Sequence, residues 1–201
     1  MIKKKKSLEI FKYNKKLQKR LNININNYKE YSQLYSSIEI ELKLVDNKNG
    51  TFINIPDEEK EYYHIYFDNS IKEIKRNYLE DNEKVKMIKI IINYQVKSFK
   101  ELFKYCKCIN SIYFKKFYRN NITDMSGMFY DCSSLKELNL SNFNTNYVID
   151  MSHMFYGCLS LKELNLNNFN TNNVTDMRWM FTGCLDELKL KIKSQFKNFK
   201  K

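Results

Sequence analysis

The sequence predicts an α/β solenoid, a stack of about four strand-plus-short-helix rungs with a parallel sheet, capped N-terminally by a small α+β segment. Two observations predict it. Residues 125–150 and 151–176 match at 20 of 26 positions, and a fixed period of this length is typical of stacked repeats. The period also reaches the flanking segments, because four cysteines lie 26 residues apart: Cys106, Cys132, Cys158 and Cys184.

The second half of each repeat predicts a strand. Leu135, Leu138 and Leu140 have the Leu-x-x-Leu-x-Leu spacing that is the strand signal of a leucine-rich repeat. Leu138 and Leu140 are two residues apart, so they point to one face of the strand, and the residues between them point to solvent. Neighbouring repeats would pair these strands in parallel.

The first half of each repeat predicts a short helix. Met125, Met128 and Phe129 have the i, i+3, i+4 spacing of one helix face. Asp124 precedes them and is a suitable N-cap, since its carboxylate accepts an unpaired backbone N–H. Gly157 follows the equivalent group in the next repeat, where a left-handed residue often ends a helix.

Together these motifs resemble the 26-residue repeat of the BspA-like leucine-rich-repeat family over about residues 96–190. The shared pattern is Asp-Met-Ser-x-Met-Phe, then Cys, then Ser-Leu-Lys-Glu-Leu-Asn-Leu. The resemblance implies a right-handed leucine-rich-repeat solenoid and surface display with adhesion-type roles.

The segment before the repeats, residues 1–84, is predicted to be an N-terminal helix and an antiparallel β cap. Residues 1–20 predict a basic amphipathic helix, which either packs on the domain or lies on a membrane surface. Residues 38–45, 51–55 and 62–67 have the composition or alternation of strands, and residues 71–79 the spacing of a short helix.

Residues 85–190 are predicted to form the leucine-rich-repeat solenoid, and residues 191–201 a basic C-terminal cap or tail. Val85, Ile88 and Ile90 suggest a shortened first rung. Leu188 and Leu190 suggest a last strand, although two residues are missing after Cys184. Neither a signal peptide nor a spanning helix is recognisable, which favours a cytoplasmic location; the resemblance gives the cell surface as the alternative.

The net charge of +12 leaves two interpretations open. The charge could allow the Lys-rich ends to bind nucleic acid or an anionic membrane. The abundance of Lys, Asn, Ile, Tyr and Phe is also what a genome poor in G and C produces, and this interpretation is favoured. No nucleic-acid-binding motif is present, so a nucleic-acid partner is not expected, whereas the basic N-terminal helix leaves a membrane surface as an alternative partner. The oligomeric state is left open.

The chemistry-bearing residues predict neither catalysis nor a cofactor. The repeated cysteines stand beside apolar columns and are expected to be buried, reduced thiols, which fits a reducing compartment. Cys106 and Cys108 lack a second ligand pair at zinc spacing, so no metal site is predicted. His64 and His153 have no nucleophile partner by pattern. We therefore expect a protein that is not an enzyme.

The predicted function is a leucine-rich-repeat module that binds a protein partner through its exposed strand face. Alternatives are a cell-surface adhesion protein, or a basic binder of nucleic acid or anionic membranes. Tyr113 is the expected anchor, because tyrosine is enriched at binding hot spots. Trp179, placed on the exposed side of its predicted helix, is either a second anchor or a core residue, and the sequence favours neither. The candidate partner-binding residues are Tyr113, Lys115, Glu137, Asn139, Ser141, Glu163, Asn165, Asn167, Trp179 and Lys189.

Overall fold

Short strands dominate the regular structure. The computed structural model describes residues 14–20, 36–93, 95–117, 121–166 and 168–195. Within these ranges the helices are α1 (Lys15–Arg20), a 3₁₀ helix (Asp57–Tyr62) and α2 (Asp186–Gln195). The strands are β1 (Ile38–Leu44), β2 (Gly50–Thr51), β3 (Tyr63–Phe67), β4 (Glu73–Ile74), β5 (Tyr78–Leu79), β6 (Met87–Ile92), β7 (Ile109–Lys116), β8 (Glu137–Asn139) and β9 (Glu163–Asn165).

Seven of these strands form one mixed sheet in the order β4-β3-β6-β1-β7-β8-β9, and β2 pairs with β5 separately. The pairs from β4 to β7 are antiparallel, whereas β7, β8 and β9 run parallel. β1 lies between β6 and β7. Its Ile38, Ile40 and Leu42 alternate with polar residues and are fully buried, so one face of the strand joins the core.

The predicted α/β solenoid is wrong, because the sheet is open and mixed and the described part of the chain has few helices. The expected short helix of each repeat is a turn segment instead. Gly127, His153 and Trp179 take left-handed φ values of 58°, 57° and 61°, and a left-handed residue interrupts a right-handed helix. The leucine-rich-repeat assignment is wrong with it.

The repeats nevertheless lie in register along their turns. Parallel bridges join Ser98 to Asp124, Asp124 to Asp150, and Asp150 to Asp176. We call residues 99–105, 125–131, 151–157 and 177–183 the turn ladder. Alternate N–H groups of the first three segments donate to carbonyls of the following repeat. Its phenylalanine rings stack inside the core at centroid distances of 5.7, 5.6 and 5.3 Å: Phe103, Phe129, Phe155 and Phe181.

The aspartate of each repeat stabilises the turn rather than a helix. Asp124 Oδ1 accepts hydrogen bonds from the backbone N–H and the hydroxyl of Ser126 at 2.8 and 2.7 Å. Asp150 accepts the N–H of Ser152 in the same way at 2.8 Å. The carboxylate therefore satisfies a backbone donor two residues ahead, as in an Asx-turn.

The chain ends its last repeat with a helix instead of the predicted strand at residues 185–190. Leu188 and Ile192 are four residues apart, the spacing of one helix face, and both are buried on one side of α2. Asp186 and Glu187 stand in the first turn, where negative charge favours a helix. α2 contacts β9 and continues past residue 190.

The predictions for the segment before the repeats hold in part. β1 and β3 confirm the strands expected at residues 38–45 and 62–67. Residues 71–79, expected to be helical, form β4 and β5 instead, and the strand expected at 51–55 is reduced to Thr51 in β2. Only Lys15–Arg20 of the predicted N-terminal helix is described, while residues 1–13 and 21–35 lie outside the described residues.

The predicted shortened first rung is also wrong. β6 pairs antiparallel with β1 and β3, so β1 separates it from the parallel strands. The side-chain spacing of Val85, Ile88 and Ile90 suits a buried strand of either direction, and the neighbouring strands decide which it becomes. The division into residues 1–84, 85–190 and 191–201 stays a prediction.

Candidate functional site

The first candidate site is the outer surface of the parallel strands, which we call the strand face: Tyr113, Glu137, Asn139, Glu163 and Asn165. Across the strands, Tyr113 pairs in register with Asn139, which pairs with Asn165. Leu138 and Leu164 between them are buried, so period-two alternation turns the polar neighbours outward. Five of the predicted residues therefore lie on one surface.

Tyr113 is held in place before any partner arrives. Its hydroxyl donates to Glu137 Oε2 at 2.5 Å. The Nζ atoms of Lys43 and Lys115 lie 5.2 and 5.4 Å from the centroid of its ring. Lys115 also reaches Glu41, with 3.5 Å between Nζ and Oε2. The half-buried ring thus has two cationic neighbours and one anionic acceptor, which restrict its rotamer.

Three other predicted residues, Lys115, Ser141 and Asn167, were expected next to this surface. The backbone N–H of Ser141 donates to Asn139 Oδ1 at 2.9 Å, which orients the Asn139 amide. Asn167 lies outside the described residues. The strand face therefore has Ser141 at one end and Lys115 beside Tyr113.

The remaining two predicted residues meet elsewhere. Trp179 and Lys189 line a pocket of about 850 Å³ between the last turn of the repeats and α2, which we call the terminal pocket. Met177, Phe181 and Ile192 contribute apolar surface to it. The repeat pattern did not indicate this pocket, because one of its walls is α2, where the pattern predicted a strand.

Trp179 is exposed rather than part of the core, and it stands on a turn rather than on the predicted helix. Its side chain is 60% accessible to solvent. Its ring stacks on the His153 ring at a centroid distance of 6.5 Å. Both residues occupy the left-handed position of their repeat, so the turn itself aligns the two rings.

The charges around the terminal pocket are mostly positive. Arg178 pairs with Asp176, with 2.6 Å between Nη2 and Oδ2, and this hydrogen bond lowers the pKa of Asp176 to about 2. Lys189 Nζ lies 3.0 Å from Asp186 Oδ1 on the same exposed helix. Lys193 also lines the pocket. The pocket therefore offers apolar walls with a cationic rim.

The cysteines are buried, which confirms the prediction, and all five are free thiols in the structure. The thiols of Cys132, Cys158 and Cys184 each donate to a phenylalanine carbonyl of the preceding repeat, whereas Cys106 Sγ donates to Lys104 O. Cys132 Sγ donates to Phe103 O at 2.9 Å, and Cys158 Sγ to Phe129 O at 3.1 Å. Burial raises the pKa of Cys132 and Cys158 well above the ordinary value. These thiols therefore stay protonated at neutral pH.

His64 has partners that its sequence position did not indicate. Its Nδ1 lies 2.8 Å from Glu73 Oε1, and its Nε2 lies 3.2 Å from Asn93 Nδ2. The Lys75 ammonium first, and His64 second, lower the pKa of Glu73 through hydrogen bonds. Both ring nitrogens of His64 are thus engaged. No sequence motif indicates this contact, because β3, β4 and β6 bring the three residues together only in the sheet.

Two searches of the described residues gave no candidate. They hold no group of three or more His, Cys, Asp or Glu side chains that could bind a metal ion. None of their helices has the length and apolar character needed to cross a membrane.

A family model matches residues 91–198, which is more than half of the chain, and its description is "Mycoplasma protein of unknown function, DUF285". The chain belongs to the DUF285 family. The assignment to the BspA-like leucine-rich-repeat family is therefore wrong: the motifs that suggested it are those of the DUF285 match. The match takes in β7, β8, β9, the turn ladder and α2. For the DUF285 chain, neither the curated proteins nor the solved structures gave a match.

Proposed function

We propose that this DUF285 chain is a non-enzymatic module that binds a protein partner through its strand face. The observation that carries the proposal is the arrangement of that face. Glu137, Asn139, Glu163 and Asn165 are exposed in two in-register pairs beside an anchored tyrosine. Exposed polar groups around a central aromatic side chain are what a protein partner recognises.

The anchoring of Tyr113 supports this function energetically. A side chain that is already ordered loses less conformational entropy when a partner covers it. The hydroxyl bond to Glu137 and the flanking ammonium groups supply that order. Tyrosine also brings a large contact area with few rotatable bonds.

Side-chain chemistry supports the non-enzymatic part of the proposal. Burial keeps Cys132 and Cys158 protonated, so neither offers a thiolate nucleophile at neutral pH. The His64 ring has both nitrogens engaged by Glu73 and Asn93. The Glu137–Glu163 pair arises from in-register repetition, which explains it without an acid–base role.

Site-specific crosslinking in cells that make the chain tests the proposal. A photoreactive amino acid replaces Asn139 on the strand face, and a matched variant carries it at Asp81, an exposed residue outside that face. We expect the Asn139 variant to crosslink a defined protein that the Asp81 variant does not. Equal crosslinking from both positions would contradict the proposal, and crosslinks to RNA or lipid alone would favour the basic-binder alternative.

The affinity of the purified pair then tests the surface itself. Glu163→Arg reverses a charge on the strand face, and Glu61→Arg makes the same change on the exposed 3₁₀ helix. We expect Glu163→Arg to raise the Kd by about tenfold or more, or ~1.4 kcal/mol. Glu61→Arg should leave it unchanged. An unchanged Kd for Glu163→Arg would sink the strand-face assignment.

A further inference from the structure

The terminal pocket has the dimensions of a small-molecule site. Its volume of about 850 Å³ lies within the range of cavities that hold small ligands. One wall is the turn at residues 177–183. Another wall is α2, which contributes Lys189, Ile192 and Lys193. Because Ile192 is buried, α2 is held against the core, and the pocket lies between two packed elements.

The indole of Trp179 gives this pocket a flat aromatic surface. The indole stacks on the His153 ring, with 23° between the two planes. A stacked contact uses one face of a ring, and 60% of the Trp179 side chain is exposed. The opposite face of the indole is therefore available to a second flat ring.

The turn orders the backbone that carries this indole. The N–H of Met180 donates to Met177 O at 3.4 Å, and the N–H of Thr182 donates to Trp179 O at 3.2 Å. Trp179 thus lies between two internal hydrogen bonds of the turn, with φ at 61°. A ring on an ordered backbone loses less conformational entropy when a ligand covers it.

The charged side chains that line the pocket are three cations and one carboxylate: Arg178, Lys189, Lys193 and Asp176. Arg178 holds Asp176 through Nε and Nη2, at 3.0 and 2.6 Å from the two carboxylate oxygens. This pair neutralises itself. Nη1 of Arg178 has no acceptor among the described residues and is able to donate to a ligand.

The two lysines of α2 supply the excess of positive charge. Lys189 pairs with Asp186, whose side chain is 93% exposed, and ion pairs this exposed are weak. Lys193 has no carboxylate within ion-pair distance in the part of the chain that the structure describes. Both ammonium groups are therefore able to bind an anion at the rim of the pocket.

Uncharged polar groups of the lining decide between a flat ring and an acyl chain. Thr171, Asn172 and Thr182 line the pocket beside Val174 and Phe181. An acyl chain would cover these hydroxyl and amide groups without giving them hydrogen-bond partners, which costs free energy. A heterocycle pairs with them along its edge while its faces cover the apolar surface, so the lining favours a heterocycle.

We propose that the terminal pocket binds a nucleoside phosphate, either as a free nucleotide or at the end of a nucleic-acid strand. The base stacks on the open face of Trp179. The phosphate groups accept hydrogen bonds from the ammonium groups of Lys189 and Lys193 and from Arg178 Nη1. The site is separate from the strand face, so the proposal does not depend on the function proposed above.

Charge disfavours two other occupants of the pocket. Residues 196–201 carry Lys197, Lys200 and Lys201, and a second copy of the chain has a net charge of +12. Either one brings positive charge to a positive rim, which costs free energy, whereas a phosphate gains it.

Tryptophan fluorescence reports on this site directly, because Trp179 is the only tryptophan of the chain. In the free full-length chain we expect iodide to quench the fluorescence more strongly than caesium does, since the indole is exposed beside positive charge. Fluorescence that neither ion quenches would show that the chain's own residues fill the pocket. Quenching that weakens as the chain concentration rises would show that a second copy fills it. Either outcome would overturn the proposal.

ATP is the probe of binding, and inorganic triphosphate and adenosine are its controls. We expect ATP to quench the fluorescence to saturation, because its base covers the indole. Calorimetry should give each control a Kd at least about tenfold above that of ATP, since triphosphate lacks the ring and adenosine lacks the charge. Equal affinity for triphosphate and ATP would overturn the proposal, as would binding of dodecanoate without binding of ATP.

Matched variants test the ring and the charge by calorimetry. We expect Lys193→Glu to raise the Kd for ATP by about tenfold, whereas Lys72→Glu, the same change on an exposed residue between β3 and β4, should leave it unchanged. Trp179→Ala should also raise it by about tenfold, and Trp179→Phe, which keeps a ring, by less. An equal effect of the two lysine variants, or an unchanged Kd in Trp179→Ala, would contradict the site.

A single-stranded RNA of about six nucleotides distinguishes the two sources of the ligand. RNA that binds at least about tenfold more tightly than ATP, and loses that affinity in Trp179→Ala, supports the end of a strand as the source. RNA that binds no more tightly than ATP supports a free nucleotide. RNA binding that persists in both Trp179→Ala and Lys193→Glu, without binding of ATP, would place the RNA on other residues and overturn the proposal.

Discussion

Replacing Phe129 by alanine should cause one of the largest losses of stability in the chain. Phe129 is fully buried. Its ring lies nearly parallel to those of Phe103 and Phe155, at centroid distances of 5.7 and 5.6 Å. Truncation therefore leaves a cavity with an aromatic wall on each side, and neither ring can fill it without leaving its other neighbours.

The expected loss follows from this environment. Phe→Ala substitutions in protein cores reduce the free energy of unfolding by about 3–5 kcal/mol. Two lost ring pairs, each worth ~0.5–1.5 kcal/mol, place Phe129→Ala near the upper end of that range. A second column of stacked rings consists of Phe117, Phe143 and Phe169. Phe169 ends this column, is 9% exposed and lies 6.2 Å from the Phe143 ring. Phe169→Ala should therefore cost about 3 kcal/mol or less.

Urea unfolding followed by circular dichroism measures the difference. With a slope of about 2 kcal/mol per molar urea, a loss of about 4 kcal/mol lowers the midpoint by about 2 M. Tyr147→Ala, at an exposed aromatic residue, is the control and should change the free energy of unfolding by less than about 0.5 kcal/mol. The reasoning is refuted if Phe129→Ala costs no more than Tyr147→Ala, or less than Phe169→Ala.

Three further predictions concern single positions. Leu164→Asp should unfold the chain, because it places a charge in the buried core, whereas Asn165→Asp on the exposed side should be nearly silent; equal thermal melts would contradict the assignment of the two faces. Iodoacetamide should not modify Cys158 at pH 8 until urea is added, since burial raises the pKa of its thiol; mass spectrometry of the folded chain checks this, and rapid labelling would count against it. Gly157→Ala should lower the free energy of unfolding by about 1–2 kcal/mol, because φ is +70° and the new Cβ would lie 3.0 Å from Asp131 Oδ1; an unchanged urea midpoint would contradict it.

Periodicity predicted the core of the repeats well, for a physical reason. A side chain that recurs in every repeat packs against the equivalent side chain of the next repeat. A column of identical apolar residues is therefore buried by its own members. Phe129 and Phe155 stack in this way, and Leu138 and Leu164 pair in register. The buried thiols follow the same rule. The composition of each column was enough to predict burial without knowledge of the backbone.

The turn conformation could not be predicted from the same columns. The spacing of Met125, Met128 and Phe129 suits a helix face, yet it also suits a turn whose donors bond to the next repeat. What decides between them is the left-handed residue inside the segment. Gly127 is permissive there, but His153 and Trp179 hold the same conformation and do not reveal it by type.

The position of β1 depended on partners distant in the chain. Residues 38–45 alternate as a half-buried strand should, and the strand itself was predictable. Its position between β6 and β7 was not predictable, because parallel and antiparallel strands have the same alternation of apolar and polar residues. The repeat period therefore predicted β8 and β9. The arrangement of the first half of the sheet depends on contacts between segments that do not repeat in the sequence.

The two candidate sites differ in predictability for a related reason. Alternation alone placed Glu137, Asn139 and their equivalents on the strand face, so five of the ten predicted residues share one surface. Lys189 was predicted for that surface and Trp179 for an exposed helix position, and both line the terminal pocket instead. Trp179 and Lys189 come together only because residues 186–195 form α2, and the sequence pattern predicted a strand there.

The change from strand to helix at α2 decides how the sheet of the repeats ends. Had residues 185–190 formed a further strand, they would have continued the parallel sheet beyond β9. As a helix, they pack Leu188 and Ile192 into the core next to β9 and so cover that edge. The same helix forms one wall of the terminal pocket, to which it contributes Lys189, Ile192 and Lys193, so a single change of secondary structure both ends the sheet and creates the pocket.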